Sequence, residues 1–229
     1  MSGDVRLERA RDLYEQAVFG GDAAALAEAD RELDAVEADL ATAGTGRDIG
    51  AVEAGLALAR GRVVHARFLE HREEDPRELE LFERAADLYR RLGDVRGEGE
   101  ALFWIGCFHQ VVRHDDDAAG PALRRSHELA AKAGDRLTMS YALRHLGIAE
   151  HRAGRLETAR ERLEESVRLR RELGFHPGVA ANLVGLAYIA AAEGRRDDAL
   201  RLLDEAAALA EESGALGIAR HVEQARTAL

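Results

Sequence analysis

An all-α chain, a right-handed α-solenoid of stacked antiparallel helix hairpins, is expected from three observations. Composition is the first. Of 229 residues, 46% are apolar and 33% charged, only three are proline, and Ala, Leu, Glu and Arg far outnumber the β-branched residues, a balance that favours helix in a globular chain. The second is a fixed internal period of about forty positions. Gly93, Gly134, Gly174 and Gly214 recur at that interval, the first step being one position longer than the others, and Gly154 and Gly194 repeat it. Ala119, Ala159 and Ala199 keep the same interval, as do Leu123, Leu163 and Leu203, and Leu129, Leu169 and Leu209. The third lies inside each period, where two apolar patterns at spacings of three and four flank a glycine turn.

In chain order, residues 1–45 read as less regular N-terminal helices. Residues 46–99 read as a divergent repeat, with a helix over 55–70 and a looser join at "EHREED" and Pro76. Phe82, Ala85, Leu88 and Gly93 keep register there, while Glu78 stands where a small alanine is expected. Clear repeats follow at 100–139, 140–179 and 180–219, and 220–229 ends a C-terminal helix. In "SYALRHLGIAEHRAGRLETARERLEES" the first helix sets Leu143, Leu146, Gly147 and Glu150 along one side, and the second sets Ala159, Leu163, Ser166 and Leu169. Small residues at Gly147 and Ala159 let the two helices approach closely. Such a hairpin cannot bury its apolar faces alone, so it stacks on its neighbours. About ten or eleven helices and no strand are expected.

The Leu-Gly, turn-Gly, Ala and Leu positions at Leu146, Gly147, Gly154, Ala159 and Leu163 resemble the tetratricopeptide repeat (TPR). The period exceeds that family's usual ~34, a longer form similar to the repeats of bacterial maltose-regulator-type signalling ATPases. Glu150 and Ala190 sit where the family often has tyrosine, and no proline closes a unit. Neither a Walker-type glycine loop nor a basic recognition helix accompanies the repeats, so one array spanning 1–229 and standing alone is expected. The resemblance implies a binding module whose first helices line a concave groove. The Lys-and-Asn clamp that some members use for a C-terminal carboxylate is absent, because Lys132, the only lysine, falls on a second helix.

Charge and targeting signals narrow the partners. A net charge of −11 without a long basic stretch argues against nucleic acid, which needs a concentrated positive footprint. No apolar run approaches the ~20 residues of a membrane helix, and "MSGDVRLERARDLYEQ" lacks the apolar core of a signal peptide. A single cysteine leaves no internal disulfide and fits a reducing compartment. The chain reads as cytoplasmic, and its arginine-heavy coding bias as bacterial.

"FWIGCFHQVVRHDDD", residues 103–117, holds the only cysteine and tryptophan and reads as the joint of a hairpin. Phe103, Cys107 and Gln110 are expected on the packing side, matching Leu143, Gly147 and Glu150. Mid-helix burial makes Cys107 an inert thiol. Asp116 or Asp117 caps the second helix, with Pro121 in its first turn. His109 and His114 lie ~140° apart on a helix, too far round to share an ion, and Cys107 with His114 lacks a third ligand. No catalytic residue, metal or cofactor is expected.

Binding is expected instead on the inner wall. Trp104, Phe108, Tyr141, Arg144, Ile148, His151, Arg152 and Tyr188 fall on the other side of the first helices, with His65 at the rim. A one-residue shift of register would instead turn Trp104 into packing. The expected function is therefore a non-catalytic module holding a peptide or protein segment. The alternative is a small-molecule site or unusual enzyme built on Tyr141, Arg144, His151 and Tyr188, where histidine can move a proton near neutral pH. Oligomeric state is open, a homodimer included.

Overall fold

A computed structural model describes residues 4–44 and 46–228, so the ends of the expected 1–45 and 220–229 segments lie outside it. Among these residues there are eleven α-helices and no strand. The chain forms two compact units, Met1–Val18 with Asp22–Ala133, and Phe19–Gly21 with Gly134–Leu229.

The first unit holds α1 (Val5–Glu15), α2 (Ala24–Thr42), α3 (Arg47–His71), α4 (Arg77–Leu92), α5 (Val95–Cys107) and α6 (Asp116–Ala133). They pack as the consecutive pairs α1/α2, α3/α4 and α5/α6, joined by α2/α3 and α4/α5 contacts. The second unit holds α7 (Arg136–Arg152), α8 (Leu156–Glu172), α9 (His176–Ala192), α10 (Arg196–Glu212) and α11 (Leu216–Ala228), paired as α7/α8 and α9/α10 with α11 against α9 and α10. The periodic glycines end helices as expected. Gly93, Gly134, Gly154, Gly174, Gly194 and Gly214 all have φ between +66° and +75°, the left-handed region that costs a Cβ-bearing residue dearly.

One crossing recurs through the fold. A Cβ on Gly147 would lie 3.1 Å from Leu163 Cγ and 3.2 Å from the Ala159 carbonyl; on Gly106 it would lie 2.6 Å from Leu123 Cγ and 3.3 Å from the Ala119 carbonyl. Gly61 meets the ring of Phe82 in the same way. Glycine permits this approach, and Phe82, Leu123 and Leu163, each at most 1% exposed, fill the space between the helices.

That crossing corrects the expected register of α5. Gly106, not Cys107, is the counterpart of Gly147. The cause is a π-type turn over Phe108–Val112, which takes in one more residue than an α-turn. Before the turn, the capping aspartate Asp94 corresponds to Asp135. After it, Leu123 corresponds to Leu163, an offset one position shorter. The same turn delays the hairpin. His114 takes φ +55°, and Asp115 rather than Asp116 or Asp117 caps α6, accepting from the Ala118 amide at 2.8 Å. Asp116 instead accepts from Gln110 Nε2 at 2.7 Å. Because α6 starts at Asp116, Pro121 lies beyond its first turn.

Candidate functional site

The register shift relocates the aromatic residues of the expected wall. Trp104 is 7% exposed, stacked on Phe82 at 5.4 Å and edge-on to Tyr14, Phe103 and His65. Phe108 is fully buried with Phe68 and Val112. His65, expected at the rim, is also buried. These three residues are core of the first unit and cannot touch a ligand on its surface.

His65 is held from both sides. Its Nδ1 lies 2.7 Å from Glu78 Oε1, and its Nε2 lies 3.8 Å from Cys107 Sγ. Burial pushes the imidazole pKa down, but Cys107 and Glu78 outweigh it and raise it to about 10. Glu78, the departure noted in the repeat, thus fills an alanine slot with a carboxylate that meets a buried cation. Cysteine, histidine and acid stand in line, yet all three are buried, so the chain of groups has no face for a substrate. Thiol labelling of the native protein is expected to be slow and to accelerate on unfolding; rapid native labelling would show that the joint opens. Among the described residues no group of three or more His, Cys, Asp or Glu is arranged to hold a metal ion.

An open cleft of about 590 Å³ does exist in the first unit. It is lined from successive first helices: Leu7, Glu8 and Arg11 of α1, Ala51, Val52, Gly55 and Arg62 of α3, and Glu100 of α5, with Tyr89 of α4. Arg62 forms the floor, paired with Glu100 and lying 5.7 Å over the Trp104 ring. Burial pushes the Tyr89 phenol up to about 12, so it stays a neutral donor. Glu15, half-buried beside Arg11 and Arg62, has its carboxyl raised by burial. Sequence reasoning missed this cleft because it assigned no role to residues before 55.

In the second unit Tyr141, Arg144, Ile148 and His151 of α7 and Tyr188 of α9 are half-buried, and Arg152 is exposed. Arg144 Nη1 donates to the Ala181 carbonyl at 2.9 Å and to Asn182 Oδ1 at 3.0 Å. Beneath it Arg170 of α8, 1% exposed, donates to Gly178 O at 2.7 Å, Asn182 Oδ1 at 3.1 Å and Ser140 Oγ at 3.2 Å. The rings of Tyr141 and Phe175 cover its guanidinium at 4.7 and 5.5 Å. Arg170 and Asn182 were not anticipated. The signal was legible, since Arg170 lies one period from both Ala130 and Ala210, each buried.

Residues 138–212, from α7 to the end of α10, match the family model described as tetratricopeptide repeat. No curated protein sequence matches the chain. Solved structures share the fold at low identity. A Podosopora anserina protein described as a putative kinesin light chain with nearly identical TPR-like repeats is 19% identical, covering 91% of this chain and 95% of its own, at a TM-score of 0.53. BtubC (BKLC) from P. vanneervenii is 12% identical over 91% and 89%, at 0.57. A Rap protein complexed with Competence and Sporulation Factor is 14% identical over 91% and 78%, at 0.54. The TPR-like helical-hairpin fold is common to all of them.

Proposed function

We propose that the chain is a binding module without chemistry of its own, which holds a peptide or protein segment against the faces of its first helices. The observation that carries this is the cleft in the first unit, open and lined from α1, α3 and α5 by apolar and charged side chains together. Recognition surfaces likewise place arginine and tyrosine among apolar side chains, and a solved neighbour is a complex with Competence and Sporulation Factor. The cleft's volume also suits a small molecule, which is the second reading. The long repeat period keeps the likeness to the repeats of maltose-regulator-type ATPases. The acidic charge without a long basic stretch favours a partner other than nucleic acid, and the arginine-heavy coding bias and single cysteine favour a bacterial source and a reducing, cytoplasmic compartment.

A random peptide library selected on the full chain tests the proposal. Selected peptides are expected to change the fluorescence of Trp104, which underlies Arg62 at the cleft floor. Ala51→Trp fills the cleft from a half-buried position and is expected to weaken them at least tenfold, ~1.4 kcal/mol, with the unfolding midpoint unchanged. Peptides that bind the Ala51→Trp variant as well as the wild type would show that the cleft is not their site. A small-molecule library that yields binders blocked by Ala51→Trp, where peptides yield none, would favour the second reading.

A further inference from the structure

Glu78 in the first unit and Arg170 in the second are buried ionisable side chains in slots that other hairpins fill with an uncharged one. Glu78 occupies the slot of Ala119, Ala159 and Ala199, and His65 meets its charge at 2.7 Å. Arg170 occupies the slot of Tyr89, Ala130 and Ala210. The fold makes room for it: at Gly178, in the first turn of the next helix, a Cβ would collide with the Phe175 ring and come within 3.0 Å of Arg170 Cδ. Gly97 likewise faces Tyr89, whereas the alanine slots are followed at the same spacing by Thr138 and Ile218.

Room is provided, but counter-charge is not. Every hydrogen-bond partner of Arg170 is neutral, and its Nη2 is buried with no hydrogen-bond partner at all. A second guanidinium, that of Arg144, donates to the same Asn182 oxygen, and Asn182 is fixed in that orientation because its Nδ2 donates to Ser166 Oγ at 2.7 Å. Two like charges are therefore held one amide oxygen apart. Desolvating a charge without an opposite partner is costly, and burial already pushes the Arg170 guanidinium down to about 9. The neighbouring Arg144 and Tyr141 reach the surface, which gives a charged ligand an approach.

We propose that Arg170 and Arg144, converging on Asn182 between α7 and α9, form an oxyanion-binding site for a carboxylate or phosphate group. A planar fork with donors to spare is the geometry such groups are recognised by. The site lies in the second unit and does not rest on the cleft of the first.

Inorganic phosphate and acetate, each compared with chloride at equal ionic strength and at concentrations below general salting-out, are the probes. Thermal unfolding midpoints and the arginine Nε–Hε resonances are the readouts. One or both anions are expected to raise the wild-type midpoint and shift the Arg170 resonance. Arg170→Met, which keeps the volume and removes the charge, is expected to lose that response, and Arg144→Ala to need at least tenfold more anion. A response to phosphate alone points to a phosphate-bearing ligand, and one to acetate as well to a carboxylate. Should Arg170→Met fail to fold, Arg170→Ala with Gly178→Thr, which copies the Ala130–Thr138 pair, makes the same measurement; should both fail, Arg144→Ala decides alone. Absence of a wild-type response to either anion, or an undiminished response in the variants, overturns the proposal.

Discussion

His65→Ala is expected to lower stability by about 3–5 kcal/mol at neutral pH, because it leaves the buried Glu78 carboxylate without its cation. Glu78 is fully buried, and its Oε2 already lacks a hydrogen-bond partner among the protein groups, so no neighbouring side chain stands ready to replace the imidazole. The loss depends on pH in a stated direction. His65 has its pKa raised from 6.5 to about 10, so its charged form is favoured by folding. Its contribution is fully present below pH 6.5, shrinks as pH rises, and is gone above about 10. Urea unfolding of wild type and His65→Ala across that range checks this: the difference in stability should narrow steadily as pH rises from 6.5 to about 10. A difference that is flat or widens would mean that His65 is neutral in the core. The double variant His65→Leu, Glu78→Ala removes both charges and should recover most of the single variant's loss.

Leu163→Ala is expected to cost about 2–5 kcal/mol by opening a cavity at the recurring crossing. Leu163 is 1% exposed, and it fills the space over two glycines at once, since Cβ atoms on Gly147 and Gly185 would lie 3.1 and 3.2 Å from it. Denaturant unfolding with an unchanged slope and a lower midpoint is the expected result. A loss below ~1 kcal/mol would show that α7, α8 and α9 close up around the gap.

The helices of the clear repeats, their pairing and their glycine-marked ends were legible in the residues alone, whereas the helix expected over 55–70 begins at Arg47. Repetition at one fixed period samples the same packing problem several times, so Ala119, Ala159 and Ala199, Leu123, Leu163 and Leu203, and the left-handed glycines each report one recurring contact. Local chemistry suffices for these features: helical spacing marks the buried face, and glycine marks the turn. Cys107 is buried as expected, although Gly106 and not Cys107 occupies the glycine position it was matched to.

Which side chains face solvent depended on how the helices fold against one another. A single extra residue in the π-type turn at Phe108–Val112 rotates everything before it by one position. That rotation moved Trp104 and Phe108 from an inner wall into the core, and transferred the α6 cap to Asp115. The longer interval from Gly93 to Gly134 recorded the insertion but not its location. Nor does spacing disclose compensation between side chains on different helices. Glu78 and Arg170 both break an alanine pattern, yet His65 of the neighbouring helix neutralises one, while the other donates only to neutral acceptors. A charge in a core slot is legible as a residue type; whether it is matched depends on which helices pack against it.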